Sequence, residues 1–371
     1  MDLRYLLDDP SSVLSPGLLF YEDLIRQNIA RTIEIAGGPE RLRPHVKTHK
    51  TREIVRMQLA AGITKHKCAT IAEAELLADC GVPDVLLAYP LVGPNCARLA
   101  RLVAAYPRCR FSTLVDHPAS ARALSAAFAH GPGIDVVLDI DPGQHRTGVA
   151  PGPEAIALYE LVAKLPGLRP DGLHIYDGHH HQESRADRES AVSRLVDQVL
   201  TLRDTLVARQ LPVPRLVLGG TPTFPIYAAM NLPGQECAPG TCILHDYGYG
   251  SRFPDLTGYV WAALLLTRVV SRPTSERVTL DLGYKAVASD PPADRRCWLL
   301  NIPEARIVLQ NEEHLVVETP AAPRFTPGDV VYAVPTHICP TVALHRQANV
   351  VRGGQVVGTW EIAARDRMLH Y

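Results

Sequence analysis

Short apolar runs alternate with longer amphipathic stretches along the first two-thirds of the chain. The runs cover residues 17–21, 42–46, 66–69, 85–88, 111–115, 136–140, 173–176 and 216–218. Each is strand-length and ends in a polar or glycine-containing turn. Between them lie Ala/Leu/Arg-rich segments with helical spacing, among them 71–80, 97–105, 119–129 and 190–209. Strand–helix alternation implies parallel strands joined by crossover helices. Eight such units close into a (β/α)8, TIM-like barrel. An open doubly wound sheet is the alternative, but no glycine fingerprint supports it.

The pattern changes after about residue 242. Runs at 260–270, 278–282, 314–318, 330–334 and 355–362 are β-branched, and Pro, Gly, Asn and Asp separate them with little helical signal. They predict a smaller, mainly antiparallel β domain. The expected organisation is an α/β barrel over 16–242 and a β domain over 243–371, with residues 1–15 packed on the latter. A chain of 371 residues is long enough for one large and one small domain.

Charge narrows the partners. With 38 basic and 39 acidic residues, the net charge of -1 offers no footprint for nucleic acid. No window holds the roughly 20 apolar residues of a membrane span. The start, with early acidic residues and no uninterrupted apolar core, is a poor signal peptide. Eight scattered cysteines with no CxxC pair read as reduced thiols, so a cytoplasmic protein is expected.

The chemically loaded segments sort onto one face of the predicted barrel. Lys47, in Arg43-Pro44-His45-Val46-Lys47-Thr48-His49-Lys50, ends the second run. A solvated basic loop is the plainer reading of a lone lysine. At a buried strand end, however, the ammonium is penalised, and a neutral amine forms Schiff bases with carbonyl cofactors such as pyridoxal phosphate. Residues 141–148, with Arg146, follow the sixth run; Tyr176 to His181 follow the seventh; Gly219-Gly220-Thr221 follow the eighth. Strand C-terminal ends are where such barrels place chemistry. Gly219, Gly220 and Thr221 suit phosphate binding through backbone N–H groups and a hydroxyl, or simply form a tight turn. Arg146 either holds a carboxylate or a cofactor ring nitrogen, or pairs with Asp139 or Asp141. Among His179, His180 and His181 one is a candidate general base, with metal binding as the competing reading. Near the end, His337 and Cys339 stand two apart on what reads as an extended chain, hence on one side of it. Imidazole and thiolate together suit Zn2+, and two ligands leave room for water or substrate; a buried core cysteine beside a capping histidine is the plainer reading.

Taken together, Arg-Pro-His-Val-Lys-Thr-His-Lys, Asp-x-Gly-x-x-Arg-Thr-Gly, Tyr-Asp-Gly-His, Gly-Gly-Thr-Pro-Thr and Pro-Thr-His-Ile-Cys-Pro-Thr resemble the D-serine dehydratase and D-threonine aldolase family. Those are pyridoxal-phosphate enzymes on the alanine-racemase barrel, and the resemblance covers essentially the whole chain. It implies Lys47 as the Schiff-base lysine and Gly219, Gly220 and Thr221 as phosphate contacts. It implies Arg146 or Tyr176 at the pyridine ring, His179 or His181 as a base, and His337 and Cys339 as ligands of a divalent metal. The dehydratases carry His-x-Cys with zinc; the aldolases carry His-x-Asp, often with manganese, and magnesium is a further option. Cys339 matches the first pattern, whereas Pro340-Thr341-Val342 resembles the aldolase context. The implied reaction is dehydration of small D-3-hydroxy amino acids, with retro-aldol cleavage as the alternative and racemisation or non-catalytic cofactor carriage behind them. A homodimer is implied as well.

Overall fold

The computed structural model describes Asp2–Tyr371. Its chain divides into two compact units. One comprises Met1–Thr32, Thr48–Ile54 and Thr241–Arg365, the other Ile33–Lys47, Val55–Gly240 and Asp366–Tyr371.

The first strand, β1 (Gly17–Tyr21), corrects the sequence reading. It was expected to open the barrel, but it pairs antiparallel with β9 (Ala263–Ser271) and parallel with β15 (Gln347–Arg352) in the other unit. All five of its residues are buried. A run buried on both faces looks the same in sequence whichever sheet it joins.

The barrel unit holds seven parallel strands in sequence order. They are β2 (Lys65–Cys68), β3 (Asp84–Pro90), β4 (Arg110–Val115), β5 (Ile134–Ile140), β6 (Leu168–Ile175), β7 (Leu216–Leu218) and β8 (Gln235–Cys237). The last of these, Gln-Glu-Cys, carries no apolar run and escaped the sequence reading. Residues 42–45 form the remaining stave. Leu42 bridges Cys237 of β8 and His45 bridges Lys67 of β2, both in parallel, so the circle of strands closes. Backbone bonds Arg43 N–H to Cys237 O (2.8 Å) and Lys67 N–H to Pro44 O (2.9 Å) hold the stave on each side. The interior core is small and aliphatic: Leu86, Leu114, Val137, Val217 and Ala238.

Helices Ile71–Asp79, Asn95–Ala105, Pro118–Phe128 and Arg185–Ala208 answer the amphipathic segments. Capping explains some of their starts. The Thr70 hydroxyl accepts from Glu73 N–H (3.1 Å), and the Glu73 carboxylate accepts from Ala69 N–H (2.6 Å). Ser184 caps the long helix through Asp187 N–H.

Charges cluster at the N-terminal ends of the barrel strands. Arg43, fully buried, donates to Glu236 at 2.5 Å and to Asp84 at 2.8 Å. Arg110 bonds Asp135 and Asp171, each at 2.7 Å, and Arg215 pairs with Asp171. Lys65 adds a 3.0 Å contact to Glu236. This is the face whose residues serve stability in such barrels.

The β unit is mainly antiparallel. Its nine-stranded sheet runs β12 (Arg306–Gln310), β13 (Leu315–Glu318), β10 (Arg277–Leu280), β9, β1, β15 and β16 (Gln355–Glu361), with β14 (Val330–Pro335) on β9 and β11 (Cys297–Leu299) on β14. Tyr5, Leu7 and Val13 from the chain start share one core with Leu19, Leu264, Leu266 and Tyr332. Among the described residues, no helix is long and apolar enough to cross a membrane.

Candidate active site

The stave of residues 42–45 carries Arg43 into the charge cluster at the strand starts. Immediately after it, a single 3-10 turn, Val46–Thr48, lifts Lys47 to the opposite end. The turn is tied down by Lys47 N–H donating to His45 Nδ1 at 3.3 Å. Lys47 lines a cavity of about 330 Å3 at the C-terminal ends of the strands, together with Lys67, Asp139, Arg146, His174 and Tyr176. Ala69, Ala88 and Leu114 supply apolar wall.

Tyr176, the residue after β6, organises this cavity. Lys47 Nζ lies 5.4 Å from its ring centroid, Lys67 Nζ 5.9 Å, and the Arg146 guanidinium carbon 4.7 Å. Cations over an aromatic face are attracted by its quadrupole. The two ion-pair options for Arg146 are otherwise engaged. Asp141 takes the side chain of His145 at 2.8 Å, and Asp139 takes His174 at 2.7 Å and Thr147 at 2.9 Å.

The glycine loop packs behind the same tyrosine. Gly219 has φ +78, and a Cβ there would lie 2.7 Å from the Tyr227 ring. A Cβ on Gly220 would lie 3.1 Å from the Tyr176 ring. Only glycine permits both the left-handed backbone and the close approach. Gly219 N–H donates to Ile175 O (2.9 Å), Gly220 N–H to Thr223 Oγ1 (3.3 Å), and Thr221 Oγ1 accepts from Gly240 N–H (3.3 Å), so the loop is held rigidly at the strand end. Asp177 fastens the loop, accepting from Thr223 Oγ1 at 2.8 Å and Tyr227 OH at 3.0 Å. Burial raises the Asp177 carboxyl above its ordinary range.

The three histidines stand apart from the cavity wall. The His179 and His180 rings lie tilted at 38° with centroids 4.2 Å apart, and His181 is exposed. His179 Nδ1 and His180 Nε2 are buried without a hydrogen-bond partner. Burial pushes His180 down to about 4.

In the β unit, the expected extended His-x-Cys is instead a helix start. His337 is the N-cap and Cys339 the second residue of helix Ile338–Leu344. Pro340 is tolerated because N–H groups in a helix's first turn have no intrahelical acceptor. The two side chains still meet. Burial opposes charge on both, yet their mutual hydrogen bond raises His337 to about 9 and holds the Cys339 thiol below its ordinary range. Asp290 Oδ2, 2.5 Å from His337 Nδ1, adds to the histidine's shift and orients the ring. Thr48 and Thr241 hydroxyls approach Cys339 Sγ at 3.2 and 3.4 Å. Among the described residues, no group of three or more His, Cys, Asp or Glu is arranged to hold a metal. A thiolate and an imidazole backed by a carboxylate fit a divalent ion whose other positions stay open.

Sequence reasoning missed Lys67, His174 and Asp139. Lys67 is buried inside β2, and its Nζ contacts His174 Nε2 at 3.4 Å. Its strand, Lys-His-Lys-Cys, carries no apolar run to set the lysine apart from a solvated one.

A barrel with a lysine-bearing mouth, accompanied by an antiparallel β unit, is the architecture of the alanine-racemase class. Residues 22–247 match the family model described as alanine racemase, N-terminal domain, and 262–351 match a serine dehydratase domain. The chain belongs to this family. It is 32% identical to a D-threonine aldolase of Arthrobacter over 87% of this chain and 85% of that protein. It is 27% identical to a D-threo-3-hydroxyaspartate dehydratase of Delftia over 97% of this chain and 98% of that one. The crystal structure of a D-threonine aldolase from Filomicrobium marinum superposes with TM-score 0.87 at 29% identity, covering 95% of each chain. These relatives, aldolases and dehydratases, are lyases.

Proposed function

We propose that the protein is a pyridoxal-phosphate- and divalent-metal-dependent lyase of small D-3-hydroxy amino acids. The observation that carries this is Lys47 at the mouth of the barrel, beside Tyr176 and Arg146 in one cavity. Lys47 is the amine that holds the cofactor. The loop of Gly219, Gly220 and Thr221 meets its phosphate, and Tyr176 and Arg146 meet its ring. When bound, the cofactor supplies an electron sink for charge developing at Cα. His337 and Cys339 hold the metal, which supplies Lewis acidity toward the β-hydroxyl. Thr48, whose hydroxyl contacts Cys339, is the next residue in the chain after Lys47.

The residues of this chain then have distinct tasks. Lys47 exchanges a proton at the substrate's Cα, on the one face it can reach, which selects the D-enantiomer. The apolar wall of Ala69, Ala88 and Leu114 excludes water from the mouth. His179 or His181 serves as base in the cleavage reading, which requires the Tyr176–His181 turn to bring it to the substrate.

Cys339 favours dehydration. Solved structures of a D-threo-3-hydroxyaspartate dehydratase include a His→Ala mutant and, two positions along, a Cys→Ala mutant in a metal-free form, the spacing of His337 and Cys339. Retro-aldol cleavage is the second reading, favoured by the aldolase similarities. Zinc as the metal, with manganese or magnesium behind it, and a homodimer belong to the same proposal. Incubation of cofactor-loaded protein with D-threonine separates the readings: 2-oxobutyrate plus ammonia for dehydration, glycine plus acetaldehyde for cleavage. Turnover undiminished after removal of the metal, checked by elemental analysis, would exclude both metal-assisted readings.

A further inference from the structure

Lys67 is 2% exposed and shares the cavity with Lys47. Its surroundings are built rather than incidental. Asp139 Oδ1 lies 2.7 Å from His174 Nδ1, and both side chains are buried. A carboxylate there takes the Nδ1 proton, so Nε2 is the ring's acceptor. Lys67 Nζ, 3.4 Å from that Nε2, therefore donates one N–H to His174 whether the amine is charged or neutral. Its remaining valences open on the cavity it lines. The charged groups acting on it are Lys47 and Arg43 on one side, and Asp139 and Asp177 on the other. His45, Tyr89, Arg146, His174 and Tyr176 complete the titratable wall. Burial first, then the ammonium of Lys47, push Lys67 down to about 7.

We propose that Lys67 is a positioning residue for the reaction at Lys47: a proton-exchanging amine, held by the His174–Asp139 pair, whose neutral form is the working form. The proposal rests on the assignment of Lys47 as the cofactor-binding amine. The substrate's own amine arrives as a cation, and a protonated Lys67 adds a further positive charge to a wall that already holds Arg146. Loss of the Lys67 proton to solvent removes that repulsion while leaving the hydrogen bond to His174 in place.

Two measurements decide it. In cofactor-free wild-type protein, competitive acetylation across pH 5 to 10, read at the Lys67 peptide by mass spectrometry, should give a midpoint near 7. A midpoint near 10 would overturn the proposal without reference to activity. In the loaded enzyme, kcat/KM should fall on the acid side, and Lys67→Met should abolish that limb. Lys67→Arg, cationic at every pH, should sit about tenfold or more below wild type at pH 8. An acid limb retained in Lys67→Met, or Lys67→Arg matching wild type, would overturn it. Failure of the Lys47 assignment shows separately. Borohydride reduction would then place the pyridoxyl label on another lysine while the Lys67 midpoint stayed near 7, and a label on Lys67 itself would overturn both.

Discussion

The two ends of the barrel handle charge in opposite ways. At the strand starts, Arg43, Arg110 and Arg215 each face carboxylates, and Asp171 joins two of them. At the strand ends, three cations crowd Tyr176, and Asp139 is occupied by His174 and Thr147. Buried pairs hold a structure together because breaking one leaves an uncompensated charge. An excess of one sign in a cavity is what a site for an anionic group needs. One stave connects the two regimes, with Arg43 anchored at one end and Lys47 delivered at the other only four positions on.

Variants on each end should therefore fail differently. Lys47→Ala should lose about 10³-fold or more in turnover. Its urea-unfolding free energy, measured without cofactor, should stay within about 0.5 kcal/mol of wild type, since the half-buried side chain has no ion pair to break. A large loss of stability there would erase the division between the ends. Arg43→Met should do the reverse, destabilising by about 3–5 kcal/mol because Glu236 and Asp84 lose their buried partner. A midpoint of urea unfolding that hardly moves would show that the charge cluster is not structural.

Lys67 gives a smaller, pH-dependent effect. Its folded value of about 7 lies below the ordinary lysine value of 10.5, so between those pH values the unfolded chain binds more protons. Cofactor-free wild type should gain stability as pH rises through that window, with the full penalty present below it. Lys67→Met should be the more stable protein at pH 6, by roughly 1–2 kcal/mol after relaxation offsets part of the shift, and the gap should close toward pH 10. Unfolding curves of the two proteins at both pH values check the sign. Arg110→Ala should have the smallest effect, about 1 kcal/mol or less by urea unfolding, because that side chain is half exposed despite its two short contacts.

Much of the site was legible along the chain because strand ends are local. Lys47, Arg146, Tyr176 and the Gly219–Thr221 loop each follow an apolar run, and period and turn residues alone locate such places. Lys67 was overlooked because its strand is Lys-His-Lys-Cys, in which the lysines look solvated until the neighbouring strands are in place. His337 and Cys339 were paired for a reason the fold replaced: the turn into a helix, with His337 at its extended N-cap and Cys339 in its first turn, stands where an extended strand was expected.

By itself the sequence determined the class of fold and its parallel and antiparallel halves, and it singled out the lysine proposed to carry the chemistry. These follow from hydrophobic period and from rare residues at element ends. Only the tertiary structure decided that β1 lies with β9 and β15, that Gln235–Cys237 and residues 42–45 close the barrel, and that Asp139 fixes His174 against Lys67. A strand carries no mark of its partner: pairing is set by long-range packing and by which buried charges can meet, and neither is written in local spacing.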